Sequence, residues 1–253
     1  MIIKHYHVQT DKKIQMTICL LADIHGFPME HFFYTALKEC KPDTIIIAGD
    51  LVDEHRPFSD TTELLLKTCI ETAPTYFAYG NNDEVLTDQN IQKMKALGTI
   101  VLDNTWTEIH PHIFVGGLTS AMVLRNQKYG LHAKEKVETE TAWLQDFSKL
   151  DGYKILIDHH PENYRLYTQK QDIDLILSGH THGGQISIFG YGLLVPGQRR
   201  IWPRYSGGFY EHKLIVSRGL SNSLPIPRIG NPTELVCIHI INKEAKIRRS
   251  EYE

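Results

Sequence analysis

The 253-residue chain predicts an α/β layered fold with parallel strand pairing in its first half. Two observations carry this expectation. Short, β-branched apolar runs alternate with segments of helical spacing. Apolar residues make up 42% of the chain, ample for a packed core and too many for a disordered one.

The elements follow in order. "IQMTICLLAD" (14–23) reads as a buried strand leading straight into polar residues. "FPMEHFFYTALKECK" (27–41) has helical spacing, with Pro28 acceptable in the first turn. "PDTIIIAGDL" (42–51) is a second buried strand. Ser59 or Asp60 can cap the helix "TTELLLKTCIE". "PTYFAYG" (74–80) is a third strand, and "DQNIQKMKALG" (88–98) a helix stopped by Gly98. Shorter strands follow in "IVLDNTWTEIHP" and "HIFVGGL", then a polar segment (121–137) and a helix near "ETETAWLQDFSKL". "YKILIDHHP" (153–161) and "IDLILSGHTH" (173–182) are again buried strands ending in polar clusters. Residues 190–211, rich in Gly, Pro, Arg and aromatics, read as a long functional loop. "KLIVSRG" and "ELVCIHIIN" close the chain as strands. No repeat or linker interrupts it, so residues 1–253 are expected to form one domain.

A net charge of −3 gives no electrostatic reason to bind nucleic acid or an anionic membrane. Cys19, Cys40, Cys69 and Cys237 are scattered, without a CxxC pair, so a disulfide framework is not expected and a reducing compartment is. The opening "MIIKHYHVQTDKK" lacks the apolar core of a signal peptide. No run approaches the ~20 apolar residues of a membrane span. A soluble cytoplasmic protein is the expectation. The 14 histidines are the most informative count, because neutral imidazole is the commonest metal ligand.

At five strand ends, acids, amides or histidines appear at once: Asp23 and His25, Asp50, Asn81, His159, and His180 with His182. Layered α/β folds build sites where strands deliver side chains to the sheet edge. Seven O and N donors converging there would suit two divalent ions, with a bridging carboxylate offsetting their repulsion. Imidazole mixed with carboxylate fits Mn²⁺, Fe²⁺ or Zn²⁺, and the missing cysteine ligands argue against a structural zinc knot. The HxH pairs His5/His7 and His110/His112 have no partner motif and are expected at the surface.

The order DxH, GD, GN, His and GHxH resembles the calcineurin-like metallophosphoesterase superfamily over residues 17 to about 240. Within it, "DHHPE", "LSGHTHGGQ" and "SRGLSNSLPIPRIGNPTELVCI" are similar to a bacterial branch of secreted or membrane-associated phosphoesterases and UDP-diacylglucosamine pyrophosphatases. The resemblance implies a four-layer αββα sandwich, two mixed β-sheets flanked by helices. It implies one metal on Asp23, His25 and His182 and a second on Asn81, His159 and His180, with Asp50 bridging. It implies hydrolysis of a phosphodiester or pyrophosphate bond by a metal-bound hydroxide, with Mn²⁺ first and Fe²⁺, Zn²⁺ or a mixed pair as alternatives. His159 is taken as the ligand because it stands two before Pro161. His160 is then a neighbour pointed away by strand alternation. The superfamily pattern GNH(D/E) departs here: Asn81 fills the ligand position but Asn82 stands where the phosphate-contacting His is expected. Asn82, His25 and Asp50 are therefore the residues expected nearest the chemistry, with Asn82 also a phosphate contact. Asp83 is expected to orient ligands, and Asp53 and Glu54 to be solvated acids.

In the 190–211 segment, Arg199, Arg200 and Arg204 cluster with Trp202, Tyr205, Phe209 and Tyr210. Two readings stay open: a phosphate-binding, apolar substrate wall, or a solvated turn over an aromatic mini-core. Of Arg218 and Arg228, one is expected to reach the site. The expected partner is a phosphate-ester substrate, lipid-linked or nucleotide, with peripheral membrane contact and no nucleic acid or protein partner. The rival functions are a phosphomonoesterase or protein phosphatase, and a non-catalytic metal-binding scaffold.

Overall fold

The computed structural model describes residues 1–188, 191–195, 200–223 and 227–243. Strands β1 (Ile2–Thr10), β2 (Gln15–Leu21), β3 (Thr44–Ala48), β4 (Thr75–Ala78) and β5 (Ile100–Leu102) are interleaved with helices α1 (His31–Cys40), α2 (Asp60–Thr72) and α3 (Asp88–Leu97). Then come β6 (Thr105–His110), β7 (Ile113–Leu118), α4 (Ala121–Tyr129), α5 (Leu144–Ser148), β8 (Tyr153–Asp158) and β9 (Leu175–Ser178). Short strands β10 (Ile186–Ile188), β11 (Tyr191–Val195), β12 (Arg200–Ile201), β13 (Gly208–Tyr210) and β14 (Leu214–Val216) precede the long β15 (Glu234–Asn242).

These strands make two six-stranded mixed sheets, ordered β1-β15-β2-β3-β4-β5 and β13-β14-β9-β8-β7-β6, and a small β10-β11-β12 sheet. In the first, β2 through β5 are parallel, as the strand–helix rhythm predicts, and β15 is antiparallel to β2. The two large sheets pack face to face through Ile18, Leu20, Ile46 and Ala48 on one side and Val115, Ile155, Ile157 and Leu177 on the other. Residues of α1 and α2 cover the outer face of the first sheet. Leu144, Phe147 and Tyr164 cover that of the second. The architecture is the four-layer αββα sandwich. Being covered on both faces explains why β3 is buried throughout and reads as a continuous run rather than an alternation. Each Ile or Leu so buried contributes about 1.5–3 kcal/mol.

Helix α3 begins with a capping box between Thr87 and Asn90 and ends at Gly98, whose φ of 111° places it in the left-handed region. Other boundaries move. Helix α1 starts at His31, so Pro28 precedes it. Residues 24–27 are committed to a turn, with the Phe27 N–H donating to Ile24 O at 3.1 Å and the Arg56 guanidinium 3.7 Å from the Phe27 ring centroid. The helix expected near residues 138–150 contracts to α5, and the polar segment after 120 forms α4 behind the Ser120 cap. The 190–211 segment is not one loop, since it carries β11, β12 and β13. Strand β1 was not foreseen. It pairs in parallel with β15, from the opposite end of the chain.

The cysteine expectation is also corrected. Cys40, ending α1, and Cys237, in β15, form a disulfide across 197 residues of sequence, with Cα atoms 6.1 Å apart. Spacing along the chain carries no trace of two positions that topology brings together. Such a bridge stabilises mainly by restricting the unfolded chain, typically by about 2–4 kcal/mol. Cys19 and Cys69 are free and buried. No helix among the described residues is long and apolar enough to cross a membrane. His5, His7, His110 and His112 are exposed.

Candidate metal centre

The parallel strands of both sheets end on one side of the sandwich, and their last residues lead into short polar loops. Asp23 and His25 follow β2, Asp50 follows β3, Asn81 follows β4, His159 follows β8, and His180 and His182 follow β9. Among the described residues, possible metal-binding atoms gather in three groups, each within 4.8 Å: Asp23, His25, Asp50 and His182; Asp50, His159 and His180; and His160, Glu162 and His180. Asp50 belongs to the first two and His180 to the last two. His159 Nε2 stands 3.3 Å from Asp50 Oδ2, His182 Nε2 3.5 Å from Asp23 Oδ1, and His25 Nε2 3.2 Å from His182 Nε2.

The backbone is bent to bring these groups together. Asp23, His25, Asp50, His180 and His182 all have φ between 49° and 72°. Non-glycine residues held in that region cost about 1–3 kcal/mol each, and such strain gathers where surrounding structure enforces a functional geometry. Gly49 and Gly80 allow the β3 and β4 loops to touch. A Cβ on Gly49 would stand 2.6 Å from His159 Nδ1, and one on Gly80 would collide with Asp50.

Charge is set by burial and by neighbours. Burial alone would raise the Asp50 carboxyl, but the His159 imidazole beside it holds it well below the usual carboxylate range. Burial raises Asp23 despite His159. Burial favours neutral His159, yet Asp50 and Asp23 push it up to about 10. Burial, aided by His159, lowers His180 to about 3, and burial with His25 and Arg228 keeps His182 neutral as well. Neutral imidazoles are the form that binds metal. His159 Nδ1 donates to Ala48 O at 2.7 Å, which turns Nε2 toward the carboxylates.

The donor set fits divalent cations. Asn81 Oδ1 is buried and accepts no hydrogen bond among the described residues, and His159 Nε2 likewise has none. Buried polar atoms are ordinarily paired. A buried oxygen without a donor, and a ring nitrogen facing a carboxylate 3.3 Å away, are groups a cation would satisfy. Asn82 lies against the shared carboxylate, its backbone N–H and its Nδ2 donating to Asp50 at 2.8 and 2.7 Å.

Several supporting residues differ from expectation. Asp53 is not a solvated acid. It is 6% exposed, accepts the N–H groups of His55 and Arg56, and its carboxylate stands 3.3 Å from His25 Nδ1. Asp53→Ala should therefore weaken metal binding by about 10–100-fold, the usual cost of losing a partner that orients a ligand. Titration of the variant with Mn²⁺ measures this, and affinity equal to the parent would return Asp53 to the solvent. His160 does not point away. Its ring centroid is 4.3 Å from that of His180, and its Nε2 is 3.0 Å from Ser120 Oγ. Strand β8 has already ended at Asp158, so alternation no longer governs it. Glu162, unnoticed in the sequence, lies 3.9 Å from His180 Nε2. Of the two tail arginines, Arg228 reaches the site, donating to His182 O at 3.2 Å and to Arg218 O at 2.7 Å.

The aromatic arginine segment divides. Tyr205 is buried and packs edge-on against Tyr164 and Tyr210, a mini-core, whereas Trp202 and Arg204 are exposed and line a cavity. Arg200 lies in β12, and Arg199 lies outside the described residues.

Residues 16–184 match the Calcineurin-like phosphoesterase family. The chain is 30% identical over 181 residues to the uncharacterized protein YpbG of Bacillus subtilis, covering 71% of this chain and 66% of that protein. It is 28% identical to an uncharacterized metallophosphoesterase of Helicobacter pylori, covering 94% of this chain and 62% of the relative. To a Danio rerio transmembrane protein with a metallophosphoesterase domain it is 26% identical, over 68% of this chain and 41% of that protein. The chain thus spans less than two thirds of the length of these relatives.

Proposed function

Because the chain belongs to the calcineurin-like phosphoesterase family, we propose that it is a dinuclear metal-dependent phosphoesterase that hydrolyses a phosphodiester or pyrophosphate bond, within one domain spanning residues 1–253. The observation that best supports this is Asp50, whose carboxylate is shared by the Asp23–His25–His182 and the His159–His180 groups. Asp23, His25 and His182 would hold one ion, and Asn81, His159 and His180 the other, with Mn²⁺ the first candidate. Two such ions would supply Lewis acidity toward a water and the phosphoryl oxygens.

The chain's own residues do the rest. Asp50 offsets the repulsion between the two positions. His180 and His182, kept neutral by burial, offer lone pairs without first losing protons. Asn82 holds Asp50 with one amide N–H and has a second to donate to a phosphate oxygen. Arg204 lies on the substrate side, with Arg199 and Arg200 nearby in sequence. Purified without chelator, the protein should carry close to two transition ions per chain and turn over bis(4-nitrophenyl) phosphate with Mn²⁺. A reproducible ratio below one ion, with no turnover on adding Mn²⁺, would sink the dinuclear reading.

Asn82 also shapes substrate choice. A carboxamide cannot deliver a proton at neutral pH, and general acid help to a leaving group is worth ~10²–10⁴-fold. The enzyme should therefore favour leaving groups that depart unprotonated. In Asn82→His, the ratio of kcat/KM on aryl over alkyl phosphodiesters should fall by about 10-fold, a modest figure because a new imidazole is not held in an optimised position. An unchanged ratio at equal metal content would show that another group already protonates the leaving oxygen.

A further inference from the structure

Next to the converging histidines is a cavity of about 850 Å³, lined among others by Glu162, Arg165, Lys170, Trp202 and Arg204. Glu162 joins it to the centre, since its carboxylate is 3.9 Å from His180 Nε2. A ligand with a phosphorus at the metal centre would therefore have its remaining bulk beside this cavity.

The walls carry an unusual charge. Arg165 comes from the π-helical turn Tyr164–Thr168, Lys170 from just after it, and Arg204 from the segment before β13. Among the described residues none of the three stands within 4.0 Å of a carboxylate, Glu162 lies 3.9 Å from His180, and the Arg204 guanidinium is 5.7 Å from the Tyr205 ring centroid. The acid on the adjoining surface is engaged by neutral donors: Tyr164 Oη and Gln169 Nε2 both donate to Glu211 Oε2, at 3.0 and 2.9 Å. Cations from two separate chain segments thus face one concavity, on a chain whose net charge is −3. Glu162 is the one carboxylate among the described lining residues, so the three cations outnumber it and the arrangement attracts an anion. Guanidinium groups suit phosphate and carboxylate through paired N–H donors.

The same walls carry apolar surface. Trp202 is 67% exposed and Leu166, also lining the cavity, is 68% exposed. Free phosphate would make no use of either. A ligand with an anionic group on a ring or other apolar body would cover both kinds of surface.

We propose that this cavity is a substrate subsite, and that the substrate is a phosphoester carrying a second anionic group, bound by Arg165, Lys170 and Arg204, with an apolar or aromatic body against Trp202. The inference rests on the hydrolytic reading for the word substrate, and is tested separately from it. Thymidine 3′,5′-bisphosphate and thymidine 5′-monophosphate share a ring and one phosphate and differ by the second anion. Calorimetry on the Mn²⁺-loaded chain should give a Kd about 10-fold lower for the bisphosphate, the low end of what one hydrogen bond to a charged group contributes. In the double variant R165Q/K170Q, and independently in R204Q on the facing segment, that ratio should fall toward 1 while manganese content stays at the parent value. Equal affinities in the parent, or a preference that survives in both variants, would overturn the subsite. Turnover of bis(4-nitrophenyl) phosphate is followed in parallel. Selectivity for the bisphosphate without turnover would support the anion site and sink the hydrolytic reading. Turnover with equal affinities would do the reverse.

Discussion

Asp50→Ala is expected to lose both ions and all measurable phosphodiester turnover together. The residue is 1% exposed, and its carboxylate belongs to two of the three ligand groups and accepts from the backbone and side chain of Asn82. It also stands 3.3 Å from His159 Nε2 and 3.7 Å from His25 Nε2. Removing one member of a buried charge network leaves the others uncompensated, at about 3–5 kcal/mol. As metal affinity this is about 10²–10³-fold or more. Elemental analysis beside turnover of bis(4-nitrophenyl) phosphate is the measurement. Asp146, whose side chain is 82% exposed on α5, is the control and should tolerate alanine. An Asp50→Ala protein that kept two ions would remove Asp50 from the centre of the site.

Asp83→Ala should do comparable damage without touching a predicted ligand. The Asp83 carboxylate accepts the N–H groups of Asp50, Gly80, Leu51 and Val52, at 2.7, 2.8, 2.8 and 3.2 Å. Those donors belong to the loops after β3 and β4, which carry Asp50 and Asn81. Burial and the charge on Asp50 push the Asp83 carboxyl up to about 7, against the pull of the Gly80 and Val52 amides. Truncation would strand these buried donors, each costing about 1–3 kcal/mol when left unpaired. The loops would relax in part, so about 3–5 kcal/mol of stability should be lost, together with metal binding. Asp83→Asn should lie between, because its Nδ2 would face N–H donors. Denaturant midpoints and metal content of both variants test this. An alanine variant within about 1 kcal/mol of the parent would mean the loops hold themselves together.

The two variants separate what is local in this protein from what is not. "PDTIIIAGDL" could be read as a buried strand ending in a loop because burial on both faces requires an unbroken apolar run. The same logic placed Asp23, Asn81, His159, His180 and His182 at strand ends. Asp83 was placed only through the resemblance, as the last position of GNH(D/E). Asp53 was not, because a carboxylate two residues past a turn looks the same in sequence whether it meets water or His25. His160 was misplaced because alternation was carried one turn beyond the end of β8.

What the sequence by itself determined was the local content: the strand–helix rhythm of the first half, the stop at Gly98, the polar ends of the buried runs and the kinds of donor they present. Periodicity, caps and turn residues act over a few positions, so they can be read there. Tertiary structure alone decided the pairing of β1 with β15, the bridge between Cys40 and Cys237, the positive φ angles of Asp23, His25, Asp50, His180 and His182, and the meeting of Arg165 with Arg204 across a cavity. Each of these joins segments far apart in the chain, or holds a residue against its own backbone preference. The free energy for that comes from packing two sheets and their helices together, which no short stretch of sequence contains.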